Sequence, residues 1–215
     1  YLPDDSRILD LGGGPGRYTI ALARKGHRVT LADISPVQLD MARRKIEATG
    51  IADNIESIDT VDAMDLGRYN DGSFDAVIAL GPLYHLTTPE QREDAAREIL
   101  RVTRRGGYVF VSFMPPILRV PGLIDRAAGD PEQVDPDAYV RVLHENTFAN
   151  RTDRGFQDAW YGSADAIARL FKDAGCSRLD ISSIRGIGNG REEAILELRT
   201  SEPEQFNGIM RALHE

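Results

Sequence analysis

Short apolar runs alternate along the chain with segments in which apolar residues recur every three or four positions. Short apolar runs are typical of β-strands, and the three-to-four-residue repeat is typical of amphipathic helices. Strands are predicted at residues 8–11, 28–32, 55–61, 74–80, 108–113, 178–184 and 194–200. Helices are predicted at residues 18–25, 35–50, 88–105, 138–143 and 163–174.

Residues that begin and end helices support these boundaries. Ser35-Pro36 and Thr88-Pro89-Glu90-Gln91 have the composition of helix N-termini, the second in the form of a capping box. Gly26 is placed to end the first helix, because glycine readily adopts the left-handed conformation found there. The strand at 55–61 is polar enough for a sheet edge, whereas 74–80 is apolar enough for the sheet centre.

The alternation of strands and helices predicts a doubly wound, Rossmann-like α/β fold with a mostly parallel sheet. The link at 186–190 is too short for a crossover helix, so the last two strands should be antiparallel. We expect a single domain spanning 1–215, with a lid-like insertion at about 115–160, where prolines and aromatic residues interrupt the alternation. Ligands of such folds bind beyond the carboxyl ends of the strands, here the first, second and fourth.

Composition and charge argue against several classes of protein. The net charge of −8 disfavours a nucleic-acid partner. Cys176 is the only cysteine and the four histidines lack ligand spacing, so neither an internal disulfide nor a metal site is expected. No apolar run approaches the roughly 18 residues of a membrane span, and we expect a cytoplasmic protein. The abrupt start at Leu2-Pro3-Asp4 leads us to expect that an N-terminal segment is missing.

The stretch DLGGGPGR, residues 10–17, joins the first strand to the first helix. Glycines in such a loop let the backbone approach a ligand closely, and the free N–H groups of the helix attract negative charge. The dinucleotide pattern G-x-G-x-x-G fits Gly12 and Gly14 but requires a small residue where the chain has Arg17. A nicotinamide-dependent oxidoreductase is therefore a remote alternative.

Asp33 lies at the end of the second strand, 23 positions after Asp10. At this place a carboxylate can accept hydrogen bonds from both hydroxyls of a ribose. The alternative is that Asp33 caps the following helix, although Ser35 already serves as a cap. The position therefore favours an adenosine-containing ligand.

The spacing D-x-G-x-G-x-G from Asp10 to Gly16 resembles the first motif of class I S-adenosylmethionine-dependent methyltransferases. The chain is most similar to the type-11 group, which includes ubiquinone-biosynthesis-like and many small-molecule enzymes. The resemblance continues through Phe74-Asp75-Ala76-Val77, Arg105-Gly106-Gly107-Tyr108 and Phe171 to Gly175. We expect a seven-stranded sheet in the order 3-2-1-4-5-7-6, with strand seven antiparallel.

The resemblance implies S-adenosyl-L-methionine as cofactor and S-adenosyl-L-homocysteine as product. It implies that Asp62 meets the adenine amino group, that the backbone N–H of Ala63 meets a ring nitrogen, and that Asp10 lies near the methionine ammonium. For Asp62 the alternative is a solvated loop carboxylate, with Asp59 and Asp65 as nearby rivals. For Asp10 the alternative is a structural acceptor for neighbouring backbone N–H groups. The cofactor-binding residues expected are Asp10, Gly12, Gly13, Gly14, Gly16, Asp33, Ile34, Asp62, Ala63, Met64, Leu80 and Gly81.

The segment Leu80-Gly81-Pro82-Leu83-Tyr84-His85-Leu86 follows the fourth strand and leads to the mouth of the site. His85 is a candidate general base because an imidazole titrates near neutral pH, and Tyr84 is a second candidate catalytic residue. The alternative is that both side chains only pack near the cofactor. His144, in the insertion, is either a further candidate base or a partly exposed loop residue.

The expected activity is methyl transfer from S-adenosylmethionine to an O, N or C nucleophile of a small molecule. The insertion supplies aromatic residues that either wall a pocket for such a molecule or pack a core: Tyr139, Phe148, Phe156, Trp160 and Tyr161. A tRNA or protein methyltransferase and a non-catalytic cofactor-binding partner protein are alternatives. The sequence leaves the acceptor, the use of a general base and the oligomeric state open.

Overall fold

The computed structural model describes residues 2–116, 119–130, 134–149, 158–182 and 192–207. Its central feature is a parallel sheet of five strands: β1 (Arg7–Leu11), β2 (Arg28–Asp33), β3 (Ile55–Thr60), β4 (Phe74–Ala79) and β5 (Thr103–Val111). Neighbouring strands are hydrogen-bonded in the order β3-β2-β1-β4-β5. The Rossmann-like α/β fold and the predicted order of the first five strands are therefore confirmed.

Three helices connect these strands: α1 (Arg17–Ala23), α2 (Pro36–Glu47) and α3 (Pro89–Val102). The side chain of Ser35 accepts the N–H of Gln38 at the start of α2, and Thr88 forms a capping box with Gln91 at the start of α3. Both caps satisfy N–H groups that have no partner within the first turn of a helix. The helix starts predicted from the sequence are confirmed.

The core of the sheet follows from the apolar content of its strands. Leu9 of β1, Leu31 of β2 and Val77 of β4 are fully buried, because helices cover both faces of a parallel sheet. β3 has a more exposed pattern and lies at the sheet edge, as its polar sequence predicted.

The boundary between α3 and β5 differs from the prediction. The helix ends at Val102 rather than at 105, and the strand begins at Thr103 rather than at 108. The pairing of β5 with β4 shifts register between Phe74 and Ala76, so the extra residues form an irregularity that the apolar pattern does not show. Gly107 is required there, because a Cβ would lie 2.7 Å from the carbonyl oxygen of Asp75.

The insertion has its own small core. Its elements are α4 (Arg119–Gly129), α5 (Ala138–Val140), a π-helical turn at 141–145, and an antiparallel pair of short strands, β6 (Thr147–Phe148) and β7 (Ala159–Trp160). α6 (Ala164–Asp173) follows, with Ser163 as its cap. Phe148 and Tyr161 are buried against Leu123 and Val142, so these two aromatic residues pack a core. Phe156 lies outside the described residues.

The chain divides into two compact units, 1–177 and 178–215. Residues 192–201 of the second unit form helix α7 (Glu192–Ser201), so the strand predicted at 194–200 is wrong. Glu, Ala, Leu and Arg are strong helix formers and two glutamates at the start favour a helix N-terminus, whereas a strand needs a neighbour. Residues 178–182 form no strand, and 183–191 lie outside the described residues. The single-domain assignment stays a prediction.

Candidate functional site

The loop between β1 and α1 depends on glycine for its conformation. Gly12, Gly14 and Gly16 have φ angles of +67°, +53° and +78°, a region that other L-residues rarely adopt. The N–H groups of Gly12 and Gly13 donate to the carbonyl oxygen of Ala32 at 2.7 and 3.2 Å. These bonds tie the loop, called the glycine loop below (residues 12–16), to the end of β2.

The glycine loop is packed too closely at Gly12 and Gly13 to accept side chains there. A Cβ at Gly12 would lie 2.8 Å from Cδ of Pro82, and a Cβ at Gly13 would lie 2.4 Å from Cδ1 of Leu31. At Gly81 a Cβ would lie 3.5 Å from the carbonyl oxygen of Gly12. The loop therefore lies between β2 and the turn that follows β4, at the strand ends where the fold predicts a ligand.

Asp33 connects the glycine loop to α2. Its Oδ2 accepts the N–H of Gly14 at 2.8 Å and its Oδ1 accepts the N–H of Ser35 at 2.8 Å. A carboxylate oxygen has two lone pairs, so each oxygen keeps capacity for a further donor. Asp33 is only partly buried. It thus has a structural role and retains free acceptor positions at the predicted ribose site.

Gln38 lies against the same loop and was not predicted from the sequence. A Cβ at Gly14 would lie 3.9 Å from its Oε1. This oxygen is buried and has no hydrogen-bond partner among the described residues. An acceptor in this state is costly unless a donor reaches it, so Gln38 is a further candidate for contact with a ligand.

Asp10 lies beneath the glycine loop and is 2% exposed. Its Oδ2 accepts both the N–H of Thr19 at 2.9 Å and the hydroxyl of Thr19 at 2.6 Å. Burial raises the pKa of Asp10, while the two bonds from Thr19 lower it. Asp10 therefore anchors α1 to β1, and its predicted contact with a ligand ammonium stays a prediction.

The predicted adenine-binding residues form a turn beside Asp33. The N–H of Val61 donates to the carbonyl oxygen of Asp33 at 3.1 Å, which joins the two strand ends. Oδ1 of Asp62 accepts the N–H of Met64 at 2.9 Å, and Ala63 is buried within the turn. Ile34 is 66% exposed at the end of β2. The structure thus brings the second and third strand ends together.

Side chains of α3 hold the loop that carries this turn. Glu98 accepts the N–H of Leu66 at 2.7 Å, and Arg101 donates to the carbonyl oxygens of Leu66 and Tyr69 at 3.0 Å each. An open crevice of about 310 Å³ lies beside these bonds; its lining is Met64, Asp65, Gly67, Asp94, Arg97, Glu98 and Arg101. Sequence reasoning missed Glu98 and Arg101, which have the spacing of an ordinary exposed helical ion pair.

The turn after β4 carries the candidate catalytic residues on a 3₁₀ helix, Pro82–His85. Ser112 supports its start by donating its hydroxyl to the carbonyl oxygen of Leu80 at 2.7 Å. A Cβ at Gly81 would lie 3.6 Å from the hydroxyl oxygen of Tyr84, so this hydroxyl is close to the glycine loop. Residues 82–86 are called the catalytic turn below after these two candidates, whose catalytic role stays a prediction.

Tyr84 and His85 differ in their surroundings. Tyr84 is half-buried, and burial raises the pKa of its hydroxyl, so Tyr84 stays protonated at neutral pH and can donate a hydrogen bond. His85 is exposed, with its ring 4.7 Å from the ring of Tyr84. Its Nδ1 lies 3.4 Å from the carbonyl oxygen of Asp158. His144 is exposed in the π-helical turn of the insertion.

Metal-ligand clusters and membrane-spanning helices are both absent from the part of the chain that the structure describes. No group of three or more His, Cys, Asp or Glu side chains there could hold a metal ion. Within the same ranges, no helix combines the length and apolar character that crossing a membrane requires.

Comparison with known proteins identifies relatives of this chain. Residues 8–107 match the family described as a methyltransferase domain. The chain is 37% identical over 107 residues to methyltransferase GfsG of Streptomyces halstedii, covering 49% of this chain and 37% of the relative. It is 31% identical over 111 residues to the tRNA 5-carboxymethoxyuridine methyltransferase of Escherichia coli strain K12, covering 52% and 41%. The matches thus span less than half the length of these relatives.

A third relative matches over a longer stretch. The ubiquinone/menaquinone biosynthesis C-methyltransferase UbiE of Cronobacter sakazakii is 27% identical over 188 residues, covering 77% of this chain and 72% of the relative. Among solved structures, a SAM-dependent methyltransferase of Methanosarcina mazei aligns with a TM-score of 0.65 and 23% identity over 81% of each chain. The structural likeness establishes the fold.

Proposed function

We propose that the methyltransferase domain in residues 8–107 of this chain transfers the methyl group of S-adenosylmethionine to an O, N or C nucleophile of a small molecule. The observation that carries the proposal is the bond at 2.8 Å between the N–H of Gly14 and Asp33. It joins a glycine loop with positive φ angles to a carboxylate that keeps free lone pairs. This combination supports a nucleoside-bearing methyl donor.

The residues at the strand ends fit such a donor. The glycines at positions 12, 13, 14 and 16 put no side chain between the backbone and a ligand. The buried Oε1 of Gln38, beside Gly14, could accept a hydrogen bond from a ligand. Gly12, Gly14, Asp33 and Asp62 would hold the cofactor. When bound, S-adenosylmethionine supplies a methyl group on a positively charged sulfur, and S-adenosylhomocysteine remains after transfer.

The protein's contribution is to align the reactants and to handle a proton. Alignment of two bound reactants supplies several kcal/mol of the rate enhancement, about 7 to 11 at best. Tyr84, whose hydroxyl pKa is raised further by burial, would donate a hydrogen bond near the glycine loop. His85 would accept the proton that a hydroxyl acceptor loses, at the exposed end of the catalytic turn.

A small-molecule acceptor is the favoured substrate class. The name of the relative UbiE refers to ubiquinone and menaquinone biosynthesis, which supports this class. A tRNA acceptor is the second candidate, because the relative from Escherichia coli is named a tRNA methyltransferase. The net charge of −8 opposes it, since tRNA binding needs a cationic surface. We also propose that the protein acts in the cytoplasm.

Calorimetry with S-adenosylmethionine, S-adenosylhomocysteine and NADH tests the proposal. We expect the first two to bind and NADH not to bind. Asp33→Ala should weaken S-adenosylmethionine binding by about 1 to 3 kcal/mol, because it removes an acceptor of charge-assisted hydrogen bonds. Asp40→Ala is the control, since Asp40 is exposed on α2 and pairs with Arg43. Binding of NADH alone, or equal affinities for the two variants, would contradict the proposal.

A further inference from the structure

Arg92 is a buried cation at the start of α3. Its side chain and backbone together are 8% exposed, and its guanidinium carbon lies 4.0 Å from the ring centroid of Trp160. Its Nη1 donates to the carbonyl oxygen of Leu86 at 2.7 Å. Arg92 therefore contacts the last residue of the catalytic turn and a strand of the insertion, which are far apart in sequence.

The position of Arg92 is unfavourable for a cation in two respects. Burial of a charge is costly unless other groups replace water, and burial lowers the pKa of Arg92. The first turn of a helix has a partial positive charge, so a cation there does not favour the helix. Glu90 and Glu93 nearby favour the charged form and offset part of the cost of burial. The groups that Arg92 contacts directly are Leu86 and Trp160. The contacts with Leu86 and Trp160 are therefore what the arginine provides.

Trp160 is held in place from a second direction. A Cβ at Gly162 would lie 2.4 Å from Cη2 of Trp160, so the ring lies over a position that only glycine can occupy. A guanidinium above an aromatic ring is attracted by the negative face of the ring, more strongly when both are shielded from water. The ring of Trp160 thus contacts the guanidinium of Arg92 and fills the space that a side chain at position 162 would need.

The same junction includes His85. The carbonyl oxygen of Asp158, two residues before Trp160, lies 3.4 Å from Nδ1 of His85. An oxygen near Nδ1 orients the imidazole and favours the tautomer in which Nε2 carries the basic lone pair. The position of the segment 158–160 therefore affects the nitrogen that would accept a proton.

We propose that Arg92 is a positioning residue that holds the catalytic turn and the segment 158–160 of the insertion in one arrangement, with Trp160 as its partner. The inference rests on the proposed function, because it gives Arg92 a role in orienting His85. The contacts of Arg92 described above do not involve the glycine loop or Asp33. Arg92 thus acts on the acceptor side of the site and not on cofactor binding.

Trp160 is the only tryptophan of the chain, so its fluorescence reports on this junction directly. We compare Arg92→Met, Arg92→Lys and Gly162→Ala with the wild-type protein. Arg97→Met is the matched control, because Arg97 lies on the same helix and its side chain is 64% exposed. Arg92→Met and Gly162→Ala should both shift the emission of Trp160 and increase its quenching by acrylamide. Arg92→Lys should give a smaller change, and Arg97→Met none.

Hydrogen exchange measured by mass spectrometry locates the effect. In Arg92→Met, amides of residues 83–86 and 158–161 should exchange about tenfold faster, while those of β1 keep their protection. S-adenosylmethionine affinity should stay within about threefold of wild type, because the contacts of Arg92 with Leu86 and Trp160 do not include the glycine loop or Asp33. Once an acceptor is found, turnover should fall with little change in cofactor affinity.

Several outcomes separate this inference from the proposed function. Unchanged fluorescence and exchange in Arg92→Met would overturn the inference, as would faster exchange throughout the sheet in both Arg92→Met and Arg92→Lys. A loss of cofactor affinity as large as that of Asp33→Ala would also overturn it. Failure of wild-type protein to bind S-adenosylmethionine would remove the proposed function, and the fluorescence and exchange results would then still decide whether Arg92 holds the junction.

Discussion

The glycine loop and the catalytic turn lie at neighbouring strand ends but are held in place by different means. The glycine loop is held through its own N–H groups: those of Gly12 and Gly13 bind the carbonyl oxygen of Ala32, and that of Gly14 binds the side chain of Asp33. Side chains distant in sequence support the catalytic turn, with Ser112 at its start and Arg92 at its end. The first arrangement requires particular backbone angles, whereas the second requires particular side-chain partners.

This difference indicates how the glycine loop and the catalytic turn should each respond to amino-acid substitutions. A backbone-held loop tolerates few substitutions, because a Cβ at Gly12 or Gly13 would overlap its neighbours. A turn held by side chains can be moved by substitutions elsewhere, so the acceptor side can be adapted while the cofactor side is kept. Substitutions on each side should therefore separate turnover from cofactor binding.

His85→Ala, on the side of the catalytic turn, is expected to have the largest effect. Loss of a general base typically reduces rates by about a hundredfold or more. S-adenosylmethionine affinity should stay within about threefold of wild type, because the hydrogen bonds described for the glycine loop go to Ala32 and Asp33 and not to His85. Turnover is measured as release of S-adenosylhomocysteine and affinity by calorimetry. His144→Ala, at the other candidate base, is the comparison; a larger loss of turnover in His144→Ala than in His85→Ala would assign the base to His144 instead. Equal losses of turnover and affinity would make His85 a packing residue.

Gly12→Ala, on the side of the glycine loop, should have the next largest effect. The position has a φ of +67°, and an alanine methyl would lie 2.8 Å from Cδ of Pro82. Strain of this kind costs about 1 to 3 kcal/mol. Displacement of the loop should weaken S-adenosylmethionine binding by more than about tenfold, measured by calorimetry.

Gly26→Ala is the matched control for this variant. Gly26 has a φ of +86°, but an added Cβ would meet no atom within 4 Å. Gly26→Ala therefore introduces the same kind of backbone strain as Gly12→Ala without a close contact to a neighbouring side chain. Thermal unfolding should show both variants destabilised, and only Gly12→Ala should lose affinity. Equal affinities of the two variants for S-adenosylmethionine would disprove that cofactor binding depends on the conformation of the glycine loop.

Asp10→Asn should have the smallest effect, on the pH dependence of stability. Burial raises the pKa of Asp10 above its ordinary value of 3.8, so the folded chain holds this proton more tightly than the unfolded chain. The resulting stabilisation is complete below pH 3.8 and is lost as the pH rises through the folded-state pKa. The free energy of unfolding of wild type minus that of Asp10→Asn should therefore decrease as the pH rises from 3.8 through the folded-state pKa of Asp10.

Urea unfolding of both proteins at a series of pH values measures this difference. The variant cannot gain or lose a proton at position 10, so subtraction isolates the contribution of Asp10 from those of other carboxylates. A stability difference that rises with pH over the same interval would mean that hydrogen bonds from Thr19, and not burial, dominate the pKa of Asp10.

The sequence predicted much of the sheet and of the cofactor side because both depend on local patterns. The strand β4 is a continuous apolar run, and α2 and α3 begin at caps formed by adjacent residues. The strand predicted at 194–200 is wrong because its alternating residues are also good helix formers, and only a neighbouring strand could have decided between the two. The sequence left the roles of Phe148 and Tyr161 open for a similar reason, because the sequence around an aromatic residue does not distinguish a core position from a pocket wall.

By itself, the sequence determined the first five strands and the helices between them, the glycines of the loop and the carboxylate at Asp33, because each leaves a signal within a few residues. The order of the strands was implied by the resemblance to class I methyltransferases and is set by their pairing in the folded chain. The tertiary structure alone decided that Asp10 is buried against Thr19, that Gln38 lies against the loop, and that Arg92 joins Leu86 to Trp160. These contacts form between side chains that come together only in the folded chain. Their existence depends on how helices and strands pack, and a local pattern of residues does not encode that packing.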